Sequence, residues 1–250
     1  MQLNKIYNID CFEGVDLLED ESIDLIVTSP PYNVDLGNNK YNKDSYDLYD
    51  DNKDYQKYID DLVILFIYLK RKLKSGGRIC INIGNTKNGA VYNAFDLAFN
   101  LKAYYIPMTT IVWNKSQTGN RCAWGSFNSP SSPSFPTPIE YILVFAKDYK
   151  KLQYKGETDL TKEEFIDWSL ALWNFAPEQR AKKIGHPAPF PEELPKRCIK
   201  MFSWVGATVL DPFAGSGTTL KVAKELNRNF IGFEISEEYC KIAEARLNEY

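Results

Sequence analysis

The stretch Asp211-Pro-Phe-Ala-Gly-Ser-Gly-Thr-Thr219 limits what this chain can fold into more than any other. Ala207-Thr-Val-Leu210 before it is a short apolar run of the kind that forms a buried strand. Leu220 to Leu226 after it carries apolar residues at helical spacing. The glycines therefore fall in a strand-to-helix turn, and in open α/β sheets ligands bind at the carboxyl ends of strands. Gly215 and Gly217 can take positive φ and let a ligand approach the backbone. Arg228 to Ile235 reads as the next strand, with Glu234 near its end. An acid about 20 residues beyond a glycine turn suits a ribose diol.

The turn is neither Gly-x-Gly-x-x-Gly nor a triphosphate cradle of the Gly-x-x-x-x-Gly-Lys type. An aspartate pointing into it would repel a pyrophosphate and attract a cation. That favours a nucleoside carrying an amino group and a sulfonium. A serine hydrolase built on Ser216 fits poorly, because Gly-x-Ser-x-Gly needs glycine where Ala214 stands.

A second stiff turn lies 182 residues earlier, where Ser22 to Val27 reads as a strand running into Thr28-Ser-Pro-Pro-Tyr-Asn33. Two prolines end a ladder and fix the backbone. Ser29 and the Pro30 carbonyl then offer two hydrogen-bond acceptors beside the flat ring of Tyr32, a set suited to a nucleobase with an exocyclic amine.

The two motifs together resemble the DNA amino-methyltransferases. Asp-Pro-Phe-Ala-Gly-Ser-Gly-Thr-Thr looks like their S-adenosylmethionine loop, and Ser-Pro-Pro-Tyr like their catalytic motif. The resemblance implies an α/β fold of the Rossmann-like class I methyltransferase type. Its sheet would be mostly parallel, seven-stranded, with one antiparallel hairpin, and circularly permuted so that the catalytic half comes first. It places Ser29, Pro30, Pro31 and Tyr32 at the reacting amine, with Asn33 beside the substrate. It assigns Asp211, Pro212, Phe213, Gly215, Gly217 and Thr218 to the cofactor loop, Glu234 to the ribose, Asp10 with Cys11 to the adenine, and Phe190 to a ring contact. Asp10 also reads as a helix cap before Cys11-Phe-Glu-Gly-Val-Asp-Leu-Leu18. In the family, Ser at position 29 usually accompanies cytosine N4 as target and Asp accompanies adenine N6. Cytosine N4 of double-stranded DNA is the expected target, with adenine N6 the alternative. RNA, a protein glutamine amide and a non-catalytic DNA-binding module remain as further readings.

Along the rest of the chain, residues 54–73 have helical spacing and stop at Gly76-Gly77. Arg78 to Gly84, Tyr104 to Trp113 and Ile139 to Ala146 read as strands, Ala90 to Leu101 as a helix, and a further helix opens at Pro195. Residues 34–53 read as a mobile loop over the active site. The whole, 1–250, reads as one methyltransferase domain, with a catalytic half 1–146 and a cofactor-binding half 186–250. Segments 114–138 and 147–185 are candidates for reading DNA. The first carries Arg121 and Trp124, the second Trp168 and Trp173.

Charge and cysteine usage narrow the setting. The net charge of −3 argues against indiscriminate nucleic-acid binding, yet residues 1–61 carry a net −10 and the remainder +7, which permits a basic face. Five scattered cysteines without a Cys-x-x-Cys pair, and one histidine, His186, make a metal site unexpected. The residues predict a reduced, cytoplasmic protein, with no signal peptide and no membrane span expected. The resemblance also implies a restriction–modification setting with a cognate restriction endonuclease. It leaves monomer or homodimer open.

Overall fold

The computed structural model describes residues 1–33, 53–86, 90–115, 126, 128–133, 135, 137–178 and 190–248. Strand β1 (Lys5–Asn8) leads into helix α1 (Cys11–Leu17), and β2 (Ile23–Thr28) follows. Helix α2 (Tyr55–Lys72) is capped by Asp54, which accepts from the Lys57 backbone N–H at 3.1 Å. Then come β3 (Leu73–Ile83), α3 (Asn93–Leu101), β4 (Ile106–Asn114) and β5 (Ile139–Ala146). Helix α4 (Lys162–Trp168) and the short β6 (Leu172–Asn174) precede α5 (Glu193–Phe202). The chain closes with β7 (Thr208–Asp211), α6 (Thr218–Glu225), β8 (Asn229–Glu234) and α7 (Glu237–Asn248).

The strands form one sheet in the order β1-β8-β7-β2-β3-β5-β4-β6. The five neighbours from β1 to β3 run parallel, and β5 runs antiparallel to both β3 and β4. Seven strands and the β4–β5 hairpin match the expected sheet. An eighth, β6, adds three residues parallel to β4 at the edge. Its seed is Trp173, which is 1 % exposed and donates its indole N–H to the Trp168 carbonyl at 2.9 Å.

Side chains alternate across this sheet with the period of a strand. Leu25, Val27, Cys80, Ile142, Val144 and Val209 face one way and pack under α5, α6 and α7. Ile26, Ile79, Ile81, Leu143, Phe145 and Leu210 face the other and pack under α1, α2 and α3. With helices on both faces, the central strands are predominantly apolar, as parallel sheets require.

Several boundaries differ from the sequence reading, among them those of β3, α3 and β4. Helix α2 ends at Lys72, before the glycine pair, because Leu73 already pairs with Ile23. The register then jumps, since Leu25 pairs with Arg78; Gly76, at φ +73°, lies in the resulting bulge. Helix α5 starts at Glu193 rather than Pro195.

The chain leaves β7 toward β8 on one side and β2 toward β3 on the other. The carboxyl ends of β7 and β2 thus flank the switch point of the sheet, where a crevice opens. Thr28 and Asp211 meet there, the Thr28 hydroxyl donating to Asp211 Oδ1 at 2.6 Å.

Candidate active site

Both motifs converge on one cavity of about 450 Å3 at this switch point. At one end lie Pro212 to Ser216, Thr218, Glu234, Ile235, Asp10, Cys11, Phe12 and Phe190. At the other lie Ser29 to Tyr32, Asn82, Trp113, Lys115, Glu140 and Pro177. The size suits a nucleoside-sized ligand with a second group beside it.

The glycine turn is shaped from within. Gly215 and Gly217 have φ of 50° and 76°, so both take the conformation expected of them. Gly217 is the cap residue of α6, and its backbone lies against α7. Arg246 of α7 donates to the Ser216 carbonyl at 2.7 Å, the Ser216 hydroxyl at 3.0 Å and the Thr218 hydroxyl at 3.1 Å. Ser216 is thereby tied to the scaffold and 3 % exposed, which removes it as a nucleophile.

Glu234 sits at the end of β8 and braces the same turn. Its Oε2 accepts from the Gly215 N–H at 2.8 Å, and its Oε1 from the Ser236 N–H at 2.8 Å. Burial raises its carboxyl above the usual range, against these two hydrogen bonds. Asp211 lies behind the cavity wall rather than on it and is 1 % exposed. Its Oδ1 accepts from Thr28 and from the Phe213 N–H at 3.1 Å, while Oδ2 is buried with no hydrogen-bond partner among the described residues. Burial pushes its carboxyl up to about 6.

Asp10 does two things. Its Oδ1 caps α1 by accepting from the Phe12 N–H at 2.8 Å, and it lines the cavity. Cys11 beside it is a neutral thiol, pushed up to about 12 by burial and then by the Asp10 charge. Phe190 lines the same end.

The Ser-Pro-Pro-Tyr turn is held at three points. The Tyr58 hydroxyl donates to the Pro31 carbonyl at 2.8 Å, and Asn93 Nδ2 to the Tyr32 carbonyl at 2.8 Å. The Tyr32 hydroxyl donates to Glu140 Oε2 at 2.9 Å. Among the described residues no hydrogen bond reaches the Pro30 carbonyl. Ser29 Oγ lies 3.2 Å from the Tyr32 hydroxyl. Burial first, then the Glu140 charge, raises the Tyr32 phenol well above its usual value, so the ring stays neutral.

Three polar residues of this floor escaped the sequence reading. Asn82 of β3 donates from Nδ2 to Glu140 Oε2 at 2.7 Å and to the Tyr32 hydroxyl at 2.9 Å. Lys115 forms an ion pair with Glu140 Oε1. The available signal was a single polar residue inside an apolar strand: Asn82 in Ile79-Cys-Ile-Asn-Ile83, and Glu140 in Ile139-Glu-Tyr-Ile-Leu-Val-Phe-Ala146.

Other expectations resolve differently. Asn33 does not line the cavity. Its Nδ2 donates to the Lys53 carbonyl and its Oδ1 accepts from the Lys53 N–H, both at 2.8 Å. At φ 56° it turns the chain to make that clasp. Arg121, Trp124, His186 and the loop 34–52 lie outside the described residues. Trp168 and Trp173 are buried in the core, and the second candidate DNA-reading segment touches the cavity through Pro177. Among the described residues no cluster of His, Cys, Asp or Glu could hold a metal ion, and no helix is long and apolar enough to cross a membrane.

A mostly parallel Rossmann-like sheet with a glycine turn and a Ser-Pro-Pro-Tyr turn meeting in one crevice is the architecture of the class I methyltransferases. Comparison with known proteins makes this specific. The model of the N6/N4 DNA methylases matches residues 23–245, and the chain belongs to that family. Type II methyltransferase M.MjaVI of Methanocaldococcus jannaschii is 40% identical over 190 residues, 71% of this chain and 90% of the relative. M.MjaI of the same organism is 33% identical over 93% of this chain and 88% of its own length. Among solved structures, TTHA0409 of Thermus thermophilus in complex with S-adenosyl-L-methionine superposes with a TM-score of 0.74. It is 27% identical, and the match covers 98% of this chain and 93% of that one. The cytosine-N4-specific PvuII DNA methyltransferase shares the fold, with a TM-score of 0.71 at 21% identity, covering 96% of this chain and 85% of that one.

Proposed function

We propose that this DNA methylase transfers a methyl group from S-adenosylmethionine to the N4 amine of a cytosine flipped out of double-stranded DNA. The observation that carries the reading is the pair of open acceptors at the reacting end. The Pro31 and Tyr32 carbonyls are already bound by Tyr58 and Asn93, whereas the Pro30 carbonyl and Ser29 Oγ border the cavity.

The cofactor fits the other end on two counts. Glu234 offers a carboxylate beside the glycine turn, and Asp10 with Phe12 and Phe190 provides a polar edge among apolar walls. The cofactor supplies a methyl group activated on a sulfonium. The rest falls to the chain's own residues. An aromatic amine is a poor nucleophile because its lone pair is delocalised into the ring. Ser29 Oγ and the Pro30 carbonyl accept from its two N–H groups and draw the nitrogen toward tetrahedral geometry, which frees the lone pair for in-line attack; as the N–C bond forms the C–S bond breaks, S-adenosylhomocysteine leaves, and the nitrogen gives up its surplus proton to water. Orientation of this kind lowers barriers by as much as about 7–11 kcal/mol. Tyr32, fixed through its hydroxyl, provides a ring for the flipped base to stack on. A duplex base lies out of reach of such a turn, so it is extruded at a cost of a few kcal/mol.

The cytosine assignment rests on Ser29. Arg121, Trp124 and the segments 114–138 and 147–185 are proposed to contact the DNA. The type II relatives fit a restriction–modification setting with a cognate endonuclease. The test is to incubate the protein with unmethylated DNA and labelled S-adenosylmethionine, then digest to nucleosides. Label in N4-methylcytosine is the expected result. Label in N6-methyladenine would move the target and keep the chemistry; no label in DNA would overturn the reading.

A further inference from the structure

Glu140 lies beneath the catalytic turn, on β5, and everything that reaches it is a donor. The Tyr32 hydroxyl and Asn82 Nδ2 converge on Oε2 at 2.9 and 2.7 Å, and Lys115 Nζ meets Oε1. A carboxylate in this setting can only accept. The single proton of the Tyr32 hydroxyl is therefore committed to Glu140. Its oxygen has two lone pairs left. One accepts from Asn82 Nδ2 at 2.9 Å, and the other faces Ser29 Oγ at 3.2 Å. Ser29 must then be the donor in that contact. Two alternative approaches, Tyr32 hydroxyl to the Asn82 carbonyl and Asn82 Nδ2 to Ser29 Oγ, are both longer at 3.4 Å and compete poorly.

We propose that Glu140 is a positioning residue which fixes the direction of the chain Ser29 to Tyr32 to Glu140, so that Ser29 meets the incoming amine only as an acceptor. The inference rests on the docking of a base amine at Ser29. A free serine hydroxyl can donate or accept, and a hydroxyl that points its proton at an amine blocks the pull on the N–H. With the proton of Ser29 drawn toward Tyr32, its remaining lone pairs are what the cavity sees. Lys115 balances the charge, so the carboxylate stays in place without attracting the substrate proton directly. The arrangement joins β2, β3, β4 and β5 at one point and is independent of the cofactor end.

The test is the isosteric Glu140→Gln, whose amide can donate to Tyr32 and so reverse the chain. Single-turnover methyl transfer is measured beside the dissociation constants for S-adenosylmethionine and DNA. The expected result is a loss of transfer rate on the order of 30-fold or more with both constants within about 3-fold of wild type, as for an interaction made in the transition state. In a Tyr32→Phe background, which removes the middle link, the same substitution should cost less than about 3-fold. A Glu140→Gln enzyme with the wild-type rate overturns the proposal. So does an equal loss in both backgrounds, because Glu140 would then act without Tyr32. Should Glu140→Gln fail to bind cofactor, the pair is compared within Lys115→Met, which leaves no unpaired ammonium, and the same two criteria apply. Wild-type protein that labels no DNA would sink the amine-docking reading and this inference with it. A working wild type with an indifferent Glu140→Gln sinks the inference alone.

Discussion

Ser29 lines the cavity and Asp211 lies behind its wall, and the two make separable predictions. Ser29→Ala removes an acceptor from the amine and nothing from the cofactor end. Transfer should fall by about 10²-fold or more, as when one transition-state hydrogen bond is lost, while cofactor affinity holds. Quench-flow transfer and equilibrium cofactor titration separate the two. Asp211 predicts a pH effect on stability. Its carboxyl, ordinarily near 3.8, is pushed up to about 6 in the folded chain. Between these values the native state holds a proton that the unfolded state has released, so stability falls as pH rises from about 4 to about 6 and is flat beyond. The drop is on the order of 3 kcal/mol. Asp211→Asn should flatten that part of the profile in urea unfolding from pH 4 to 7. An unchanged slope would assign the effect to other groups.

At the level of elements, the loop before β7 and the glycine turn offer a matched pair. Gly206 and Gly217 share a left-handed conformation, φ 79° and 76°. A methyl at 206 meets nothing within 4 Å, whereas one at 217 comes to 2.7 Å from Ala243 Cβ. Gly206→Ala should cost about 1–2 kcal/mol, the left-handed penalty alone. Gly217→Ala should cost about 1–3 kcal/mol more, because α6 and α7 are forced apart. Equal losses by thermal or urea unfolding would show that α7 gives way freely. The same turn shows what could be read ahead of the structure. Its strand, glycines, helix and Glu234 are contiguous, so local chemistry was enough to place them. Asn82, Lys115 and Glu140 are spread over three strands and their ends, and become a site only when β5 pairs antiparallel between β3 and β4. Helix α7 is also hard to read in the sequence. Its buried face is Tyr239, Cys240, Ala243 and Leu247, too polar and small-sided a stripe to stand out. Asn33 misleads for a related reason: following the motif directly, it resembles part of it, but its left-handed turn sends its amide to Lys53.

Across the whole molecule, the beginning and end of the chain share the sheet. β1 pairs with β8 and β2 with β7, so neither half completes the crevice alone. The middle is tied in by Arg228, whose side chain is fully buried. It makes a bidentate pair with Asp159 at 2.6 and 2.9 Å and donates to the Ser203 and Leu226 carbonyls. Arg228→Met should cost about 3 kcal/mol, the lower end for a broken buried pair because Asp159 can regain water. Denaturant unfolding checks this, and wild-type stability would mean that the segment around Asp159 is held by packing alone. The Asn33–Lys53 clasp has a consequence for how such a chain can diversify. Two backbone hydrogen bonds through one side chain close the ring of residues between them at its base, like a drawstring. Lengthening a closed ring costs little, about 0.6 kcal/mol per doubling. An insertion between the two clasped residues should therefore cost little stability, with Asn33 still holding the end of the reacting turn to Lys53.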